Sequence, residues 1–369
     1  MAAYYFFYFA TLGTLIPYWP VYLKGLGLDA DEIGLLFALL ALGRIVSPLI
    51  AGTVADGSDS RMGVVRGASV LASLAFVAVW WADTFVQLVP TLLAFGFFFT
   101  AGLSPFEVNT LAHLGTTPEA YSRVRLWGSV GFIAAVAALG ACLGPLGTQI
   151  VPITVAVLVT ITAALSFWVP EARRATTETP PPPFLAQIRD RSLHGLLLSS
   201  FLIQVAHGPY YTFFTLYLED HAYSSPVAGG LWALGVAAEI GLFLAAPHLL
   251  ARFPRQALYS VALGVAALRW CLLATLVDAP VAVFVQQLLH GVSFGLHHTV
   301  AMQYLHRLFP ARSQGRGLAL YAAASFGAGG ALGSLLAGLG WERIGAEGVF
   351  LCAGVVSLLA LQVGRRIEP

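Results

Sequence analysis

Pro170-Glu-Ala-Arg-Arg-Ala-Thr-Thr-Glu-Thr-Pro180-Pro-Pro-Pro183-Phe-Leu-Ala-Gln-Ile-Arg-Asp-Arg-Ser192 is a long polar stretch in an otherwise apolar chain. Four consecutive prolines cannot continue a helix, because each lacks a backbone N–H and clashes with the turn before it. The stretch therefore reads as a linker with similar material on either side. Of 369 residues, 58% are hydrophobic and 10% are charged, against about a quarter charged in an ordinary soluble domain. A soluble enzyme, a disordered chain and a disulfide scaffold all fit this composition poorly. A net charge of +1 leaves no electrostatic footprint for nucleic acid.

A membrane helix needs about 20 largely apolar residues. Six such stretches precede the linker, at 3–23, 33–55, 64–82, 85–110, 124–143 and 149–169. Six follow it, at 193–218, 227–250, 256–276, 280–304, 317–339 and 345–363. The first lacks a basic leader and a small-residue cleavage site, so it reads as a retained span. The expectation is an all-α membrane protein with an N-terminal bundle 1–169, a linker 170–192 and a C-terminal bundle 193–369.

Basic residues set the orientation. The even-numbered loops and the C-terminus hold fifteen arginines, whereas the odd-numbered loops hold only Lys24 and Arg343. By the positive-inside rule, both termini and the linker face the cytoplasm. Eighteen arginines against one lysine suggest a G+C-rich bacterial genome and hence a bacterial inner membrane.

An offset of 195 residues superposes the halves: Tyr22-Leu23 meets Tyr217-Leu218, Gly34 meets Gly229, and Phe95-Gly96 meets His290-Gly291. Repeats six spans apart share an orientation in the membrane, which predicts pseudo-symmetric halves with a substrate route between them. The same offset pairs Arg44 with Glu239.

Ionisable groups at mid-membrane are costly and face a cavity or a partner. Arg44, Glu107, Glu239 and Arg269 lie well inside spans. They make either two structural pairs or a set for substrate binding and proton coupling. Glu239, in a long apolar span, is the leading candidate for loading and releasing a proton. An arginine fork grips a carboxylate through two hydrogen bonds, which suits Arg44 or Arg269 to an anionic substrate. Glu107 suits a gate, a tie between helices or a substrate contact.

His207 lies on span seven, and His290, His297 and His298 on span ten. His290 and His297 are seven apart, nearly on one helical face. Without an HxxxH pattern or a carboxylate on that face, metal is not expected. Proton relay or substrate hydrogen bonding stands beside simple packing. Tyr8 and Tyr211 lie deeper than the belt tyrosines of their spans and suit either an aromatic-lined cavity or the core. Cys142, Cys271 and Cys352 sit in apolar runs without a CxxC pair, which predicts buried small hydrophobes. Gly329, Gly333 and Ala337 give span eleven a smooth face for close helix packing. No cofactor is expected.

This arrangement resembles the major facilitator superfamily. Gly52-Thr-Val-Ala-Asp56 followed by Arg61-Met-Gly63-Val-Val-Arg66 is similar to the family's loop between spans two and three, stretched here by Gly57-Ser-Asp-Ser60. The resemblance implies a gating role for Asp56 and Arg61, with Glu107 and Arg125 as further gating candidates. More narrowly, the chain resembles the bacterial phenylpropionate permease group, among lactose-permease-like and nucleoside-proton symporters. The matching stretches are Pro17-Tyr-Trp-Pro-Val-Tyr-Leu-Lys-Gly-Leu-Gly-Leu28, Val124-Arg-Leu-Trp-Gly-Ser-Val130, Gly235-Val-Ala-Ala-Glu-Ile240, Leu268-Arg-Trp270 and Leu289-His-Gly291. The chain departs from the group around Pro105-Phe-Glu-Val-Asn109.

The resemblance implies proton-coupled uptake of an aromatic acid, and a monomer is expected. The substrate carboxylate would lie near Arg44 or Arg269, and its ring against Tyr8, Tyr211 or Trp232. His207 and His298 are further substrate contacts. Glu239, His207, His290 and His297 would carry the proton. Proton-driven efflux of amphipathic compounds, uptake of a neutral sugar or nucleoside, and a non-transporting receptor are the competing expectations.

Overall fold

The computed structural model describes residues 1–58, 60–114, 118–172, 190–309 and 313–367, without the side chains of Asp56 and of 118–120. Most of the proposed linker, including Pro180–Pro183, and Arg312 lie outside the described residues. Among the described residues every regular element is helical.

The first group is α1 (Ala2–Gly25), α2 (Ala30–Gly57), α3 (Arg61–Val77) with a 3-10 turn at Ala78–Trp81, α4 (Phe85–Ala101), α5 (Leu103–Leu114), α6 (Pro118–Leu146) and α7 (Ile150–Trp168). The second group is α8 (Arg191–Asp220), α9 (Ser225–Arg252), α10 (Arg255–Thr275), α11 (Pro280–His290), a π-helical segment Gly291–Leu296 and α12 (His297–Leu308). It ends with α13 (Gln314–Ala322), a second π segment Ala323–Gly329 and α14 (Gly330–Gly364).

Each of the twelve apolar stretches is thus helical. Eight segments are long and apolar enough to cross a membrane by length and composition, and one of them, Gln314–Gly364, holds two of the stretches. The other three stretches carry the tyrosines, glutamines and histidines that reduce their hydropathy. Gly345 divides α14, with a φ of 76° that only glycine adopts freely.

The repeat is visible in the helix boundaries. Shifting Ala30–Gly57 by 195 residues gives the bounds of α9, and shifting Phe85 by the same number gives Pro280, where α11 begins. Close contacts repeat as well. A Cβ at Gly43 would stand 2.8 Å from the Gly96 carbonyl oxygen, and one at Gly291 would stand 2.6 Å from that of Ala238. Those two pairs are related by the same offset. The small-residue face of span eleven also packs closely: Gly329 meets the Phe201 carbonyl, and Gly333 meets Gly208 and Val205. Lipid supplies no hydrophobic drive between helices, so close backbone approach and van der Waals contact hold them.

Local sequence starts the helices. Asp29 and Glu32 form a reciprocal capping box on α2, with Asp29 accepting from the Glu32 amide at 2.8 Å. Ser60 accepts from the Gly63 amide at 2.8 Å and caps α3. Side chains reach the end of α7 from two other helices. Arg66 donates to the carbonyls of Ser166 and Val169, and Asn109 brackets Pro170 and Ala172 with its amide.

Glu171 then turns to the start of α3. Its carboxylate accepts from the Ser60 hydroxyl at 2.7 Å and from the amides of Arg61 and Met62 at 3.0 and 2.9 Å. An anion at a helix N-terminus satisfies orphan N–H groups and complements the helix dipole.

The chain forms two compact units, Met1–Thr177 with Tyr223–Ala233, and Glu178–Ala222 with Leu234–Pro369. Large apolar side chains cover much of the exterior, including Leu244, Val281, Trp81 and Trp168, all more than 70% exposed. The three cysteines are exposed as well, which corrects the expectation that they are buried. In a membrane protein, lipid is as apolar as the core, so an apolar run does not imply an inward face.

Replacing Gly208 by Ala would place a Cβ 2.2 Å from the backbone of Gly333. Such overpacking costs about 2 kcal/mol or more, so G208A is expected to melt well below the unaltered protein in detergent. Gly241→Ala, with nothing within 4 Å of its Cβ, serves as the neutral comparison.

Burial works to raise the pKa of Glu171. The Ser60 hydroxyl, the Met62 and Arg61 amides and the Arg61 charge outweigh it and hold the carboxyl below the usual carboxylate range. The stabilisation is therefore present above the ordinary carboxylate pKa and fades as pH falls through the lowered folded value. Hydrogen exchange at the Arg61 and Met62 amides is expected to quicken in E171Q at neutral pH, and in the unaltered chain only in acid.

Candidate substrate and coupling site

Arg269 is the most deeply buried charge of the second unit, at 0% exposure on α10. Its ligands are neutral. Nε donates to the Gln286 carbonyl at 2.9 Å and to Gln286 Oε1 at 3.1 Å, Nη2 donates to Gln287 Oε1 at 3.0 Å, and Nη1 donates to Ser293 Oγ at 3.4 Å. Its Cζ stands 4.4 Å from the Tyr210 ring centre and 4.5 Å from that of Trp270. Gln287 passes the network on by donating to the Tyr210 hydroxyl at 3.1 Å. Among the described residues no carboxylate lies within ion-pair distance of Arg269.

Glu239, on α9, instead meets His290 at the end of α11, with Oε1 and Nε2 2.7 Å apart. A single proton placed between these atoms can reside on either, so the pair is a chemically reasonable proton store. His290 Nδ1 is buried and has no hydrogen-bond partner.

The His207 ring lies 6.1 Å from that of His290 and 4.9 Å from that of Trp270. Its Nδ1 donates to the Ile203 carbonyl at 2.7 Å, and its buried Nε2 has no hydrogen-bond partner. Tyr211, partly buried, stacks on His207 at 5.8 Å. Glu239, His290, His207, Tyr211 and Arg269 are thus brought together in one unit.

His297 is not part of this group of contacts. Its Nε2 meets Tyr259 Oη at 3.2 Å and Ser200 Oγ at 3.4 Å, in a buried hydroxyl cluster that includes Ser199. The spacing of seven predicts a face shared with His290, and the two rings meet different side chains. The π segment directly after His290 breaks the α-helical register, so the two rings reach different partners. His298 stacks parallel to Phe294 at 6.2 Å and lies near Tyr321 and Phe326.

In the first unit, Arg125 pairs with Glu107 at 3.8 Å and lies over the Phe9 ring at 3.9 Å. Arg44 is partly buried on α2 and holds no hydrogen bond or ion pair among the described residues. The four inner charges therefore do not form two pairs among themselves: Glu107 takes Arg125 and Glu239 takes His290. Tyr8 is buried, stacked on Phe99 at 4.3 Å and bonded to its carbonyl, so in this state its ring packs in the core. Trp232 is buried, with its ring 6.4 Å from that of Phe132. Arg61 begins α3, where Glu171 holds its amide. The side chain of Asp56 lies outside the described residues.

Gln286, Gln287, Ser293 and Tyr210 were not singled out from the sequence. The signal was present in the paired glutamines of an apolar span, one turn before His290.

Comparison with known proteins identifies the family. The model of the "MFS_1 like family" matches residues 1–352. The chain is 31% identical to the probable 3-phenylpropionic acid transporter of Escherichia coli (strain K12), over 99% of this chain and 96% of that protein. It is 28% identical to the maltose permease of Geobacillus stearothermophilus, over 98% and 93%. The solved nucleoside transporter NupG shares its fold, with a TM-score of 0.84 at 18% identity over 99% of this chain and 97% of that one. Helical throughout its described elements, apolar on its exterior and matched along nearly its whole length, the chain belongs to the MFS_1-like family of the major facilitator superfamily and is a membrane transporter rather than an enzyme.

Proposed function

We propose that this transporter takes up a small organic anion, such as 3-phenylpropionate, together with a proton by alternating access. Both termini and the 170–192 linker would face the cytoplasm of a bacterial inner membrane, and the chain would act as a monomer. The observation that carries the reading is a proton-holding pair, Glu239 and His290, next to a buried arginine with no bound carboxylate.

The charges explain the coupling. With Glu239 ionised and both neighbouring histidines neutral, the Glu239–Arg269 set has no net charge. Loading one proton makes it positive, and an organic anion restores neutrality. Each ligand therefore favours the other, as linkage requires of a symporter. Arg269 would receive the carboxylate, with Arg44 as the corresponding cation of the first unit, and Tyr211 and His207 would form the aromatic surface nearby. The relative described as a probable 3-phenylpropionic acid transporter supports this substrate class. The relative described as a maltose permease supports a second reading, uptake of a neutral sugar.

Proteoliposomes with an alkaline interior are expected to accumulate labelled 3-phenylpropionate above the level seen without a gradient. Uptake indifferent to the gradient would defeat the coupling. Glu239→Gln is expected to cut gradient-driven accumulation by about tenfold or more while substrate exchange continues. Normal accumulation in that variant would remove Glu239 from the proton route. Accumulation of maltose but not of the acid would favour the sugar reading.

A further inference from the structure

Gln286 is fully buried, and only one end of its amide is used. Oε1 accepts from Arg269 Nε, whereas Nε2 has no hydrogen-bond partner. A buried donor left unmade is unfavourable. A glutamate of the same shape would keep the acceptor bond, remove the orphaned donor and give Arg269 a counter-ion. On stability alone, glutamate is the better residue here. A neutral side chain in this position opposes local stability, which points to function.

Gln287 supports the same conclusion, because it too meets the guanidinium through a neutral oxygen, at 3.0 Å. Glu239, the nearby acid, is engaged by His290 at 2.7 Å. Three N–H groups of Arg269 are occupied by glutamine and serine acceptors, and a guanidinium has five. The Trp270 indole, 4.5 Å from the guanidinium carbon, also has an unpartnered N–H. Three of the arginine's five N–H groups are therefore satisfied by neutral acceptors while its charge is left in place.

We propose that Gln286, assisted by Gln287, is a positioning and specificity-determining residue that aims Arg269 without neutralising it, so that the substrate's own carboxylate supplies the missing counter-ion. This rests on the anion reading above and adds the residue that makes the site select an anion over its neutral isostere. A carboxylate at 286 would occupy the role reserved for the substrate. Glu239, His207, His290, Tyr210 and Tyr211 are the other titratable groups around the arginine, and none of them is altered by the substitution.

The test compares the full-length protein with Gln286→Glu and Gln287→Glu. Affinities for 3-phenylpropionate and for its neutral amide are measured in detergent at one pH, together with melting temperature. The unaltered protein is expected to prefer the carboxylate by about tenfold or more, and absence of that preference defeats the anion reading itself. Given that preference, Q286E is expected to lose it, with the ratio of the two affinities falling to near one, and to melt at or above the unaltered protein. A purely structural role would weaken both ligands together and leave the ratio in place, which would overturn the proposal. So would failure of both glutamate variants to fold, because a cation lacking a counter-ion should accept one. Gln286→Leu, which removes the acceptor without adding charge, is expected to retain a reduced carboxylate preference.

Discussion

A charge removed from water must recover its hydrogen bonds, and Arg269 recovers them from neutral groups. Two glutamine oxygens, a backbone carbonyl, a serine hydroxyl and two aromatic faces surround it. Removing one partner of a buried ion pair leaves a strongly unfavourable lone charge. Here neutral ligands hold the cation from the outset, and the fold is shaped around them. The arginine comes from α10, its glutamines from the end of α11 and its serine from the π segment. One guanidinium thus ties these elements together.

A π segment lies beside this cluster. It opens at Gly291, where the helix passes so close to Ala238 that a Cβ would stand 2.6 Å from its carbonyl. Close approach on one side brings Glu239 within bonding distance of His290. The changed register on the other side places Ser293 against Arg269 and sends His297 to the Ser200 and Tyr259 hydroxyls. A single irregular turn separates a histidine that can share a proton with an acid from one held in a hydroxyl network.

The same economy appears at the end of α7, where Arg66, Asn109 and Glu171 satisfy exposed backbone groups on two helices. The carboxylate of Glu171 does at the start of α3 what a capping side chain does within one helix. It draws this power from a residue more than a hundred positions away in sequence. In the second unit, Gly208 and Gly333 let two helices approach to backbone contact. Both contacts place chemistry and packing where local propensity alone gives no indication of it.

Much of the fold was legible from residues. The apolar stretches became helices, and the offset of 195 reappears in their boundaries. Apolarity and period are local properties, and a chain carries them in order. Glu239, Arg269, His207 and His290 were visible as charges and rings out of place in apolar spans. Their partners were not. Nothing in the spacing couples Glu239 to His290 rather than to Arg269, or Glu107 to Arg125 rather than to Arg44. The cysteines were misread because an apolar run does not say which face meets lipid. Sequence determined which groups would be buried in the membrane. Tertiary structure decided which of them meet, because contact depends on helix register and on how closely neighbouring helices approach, as at Gly291.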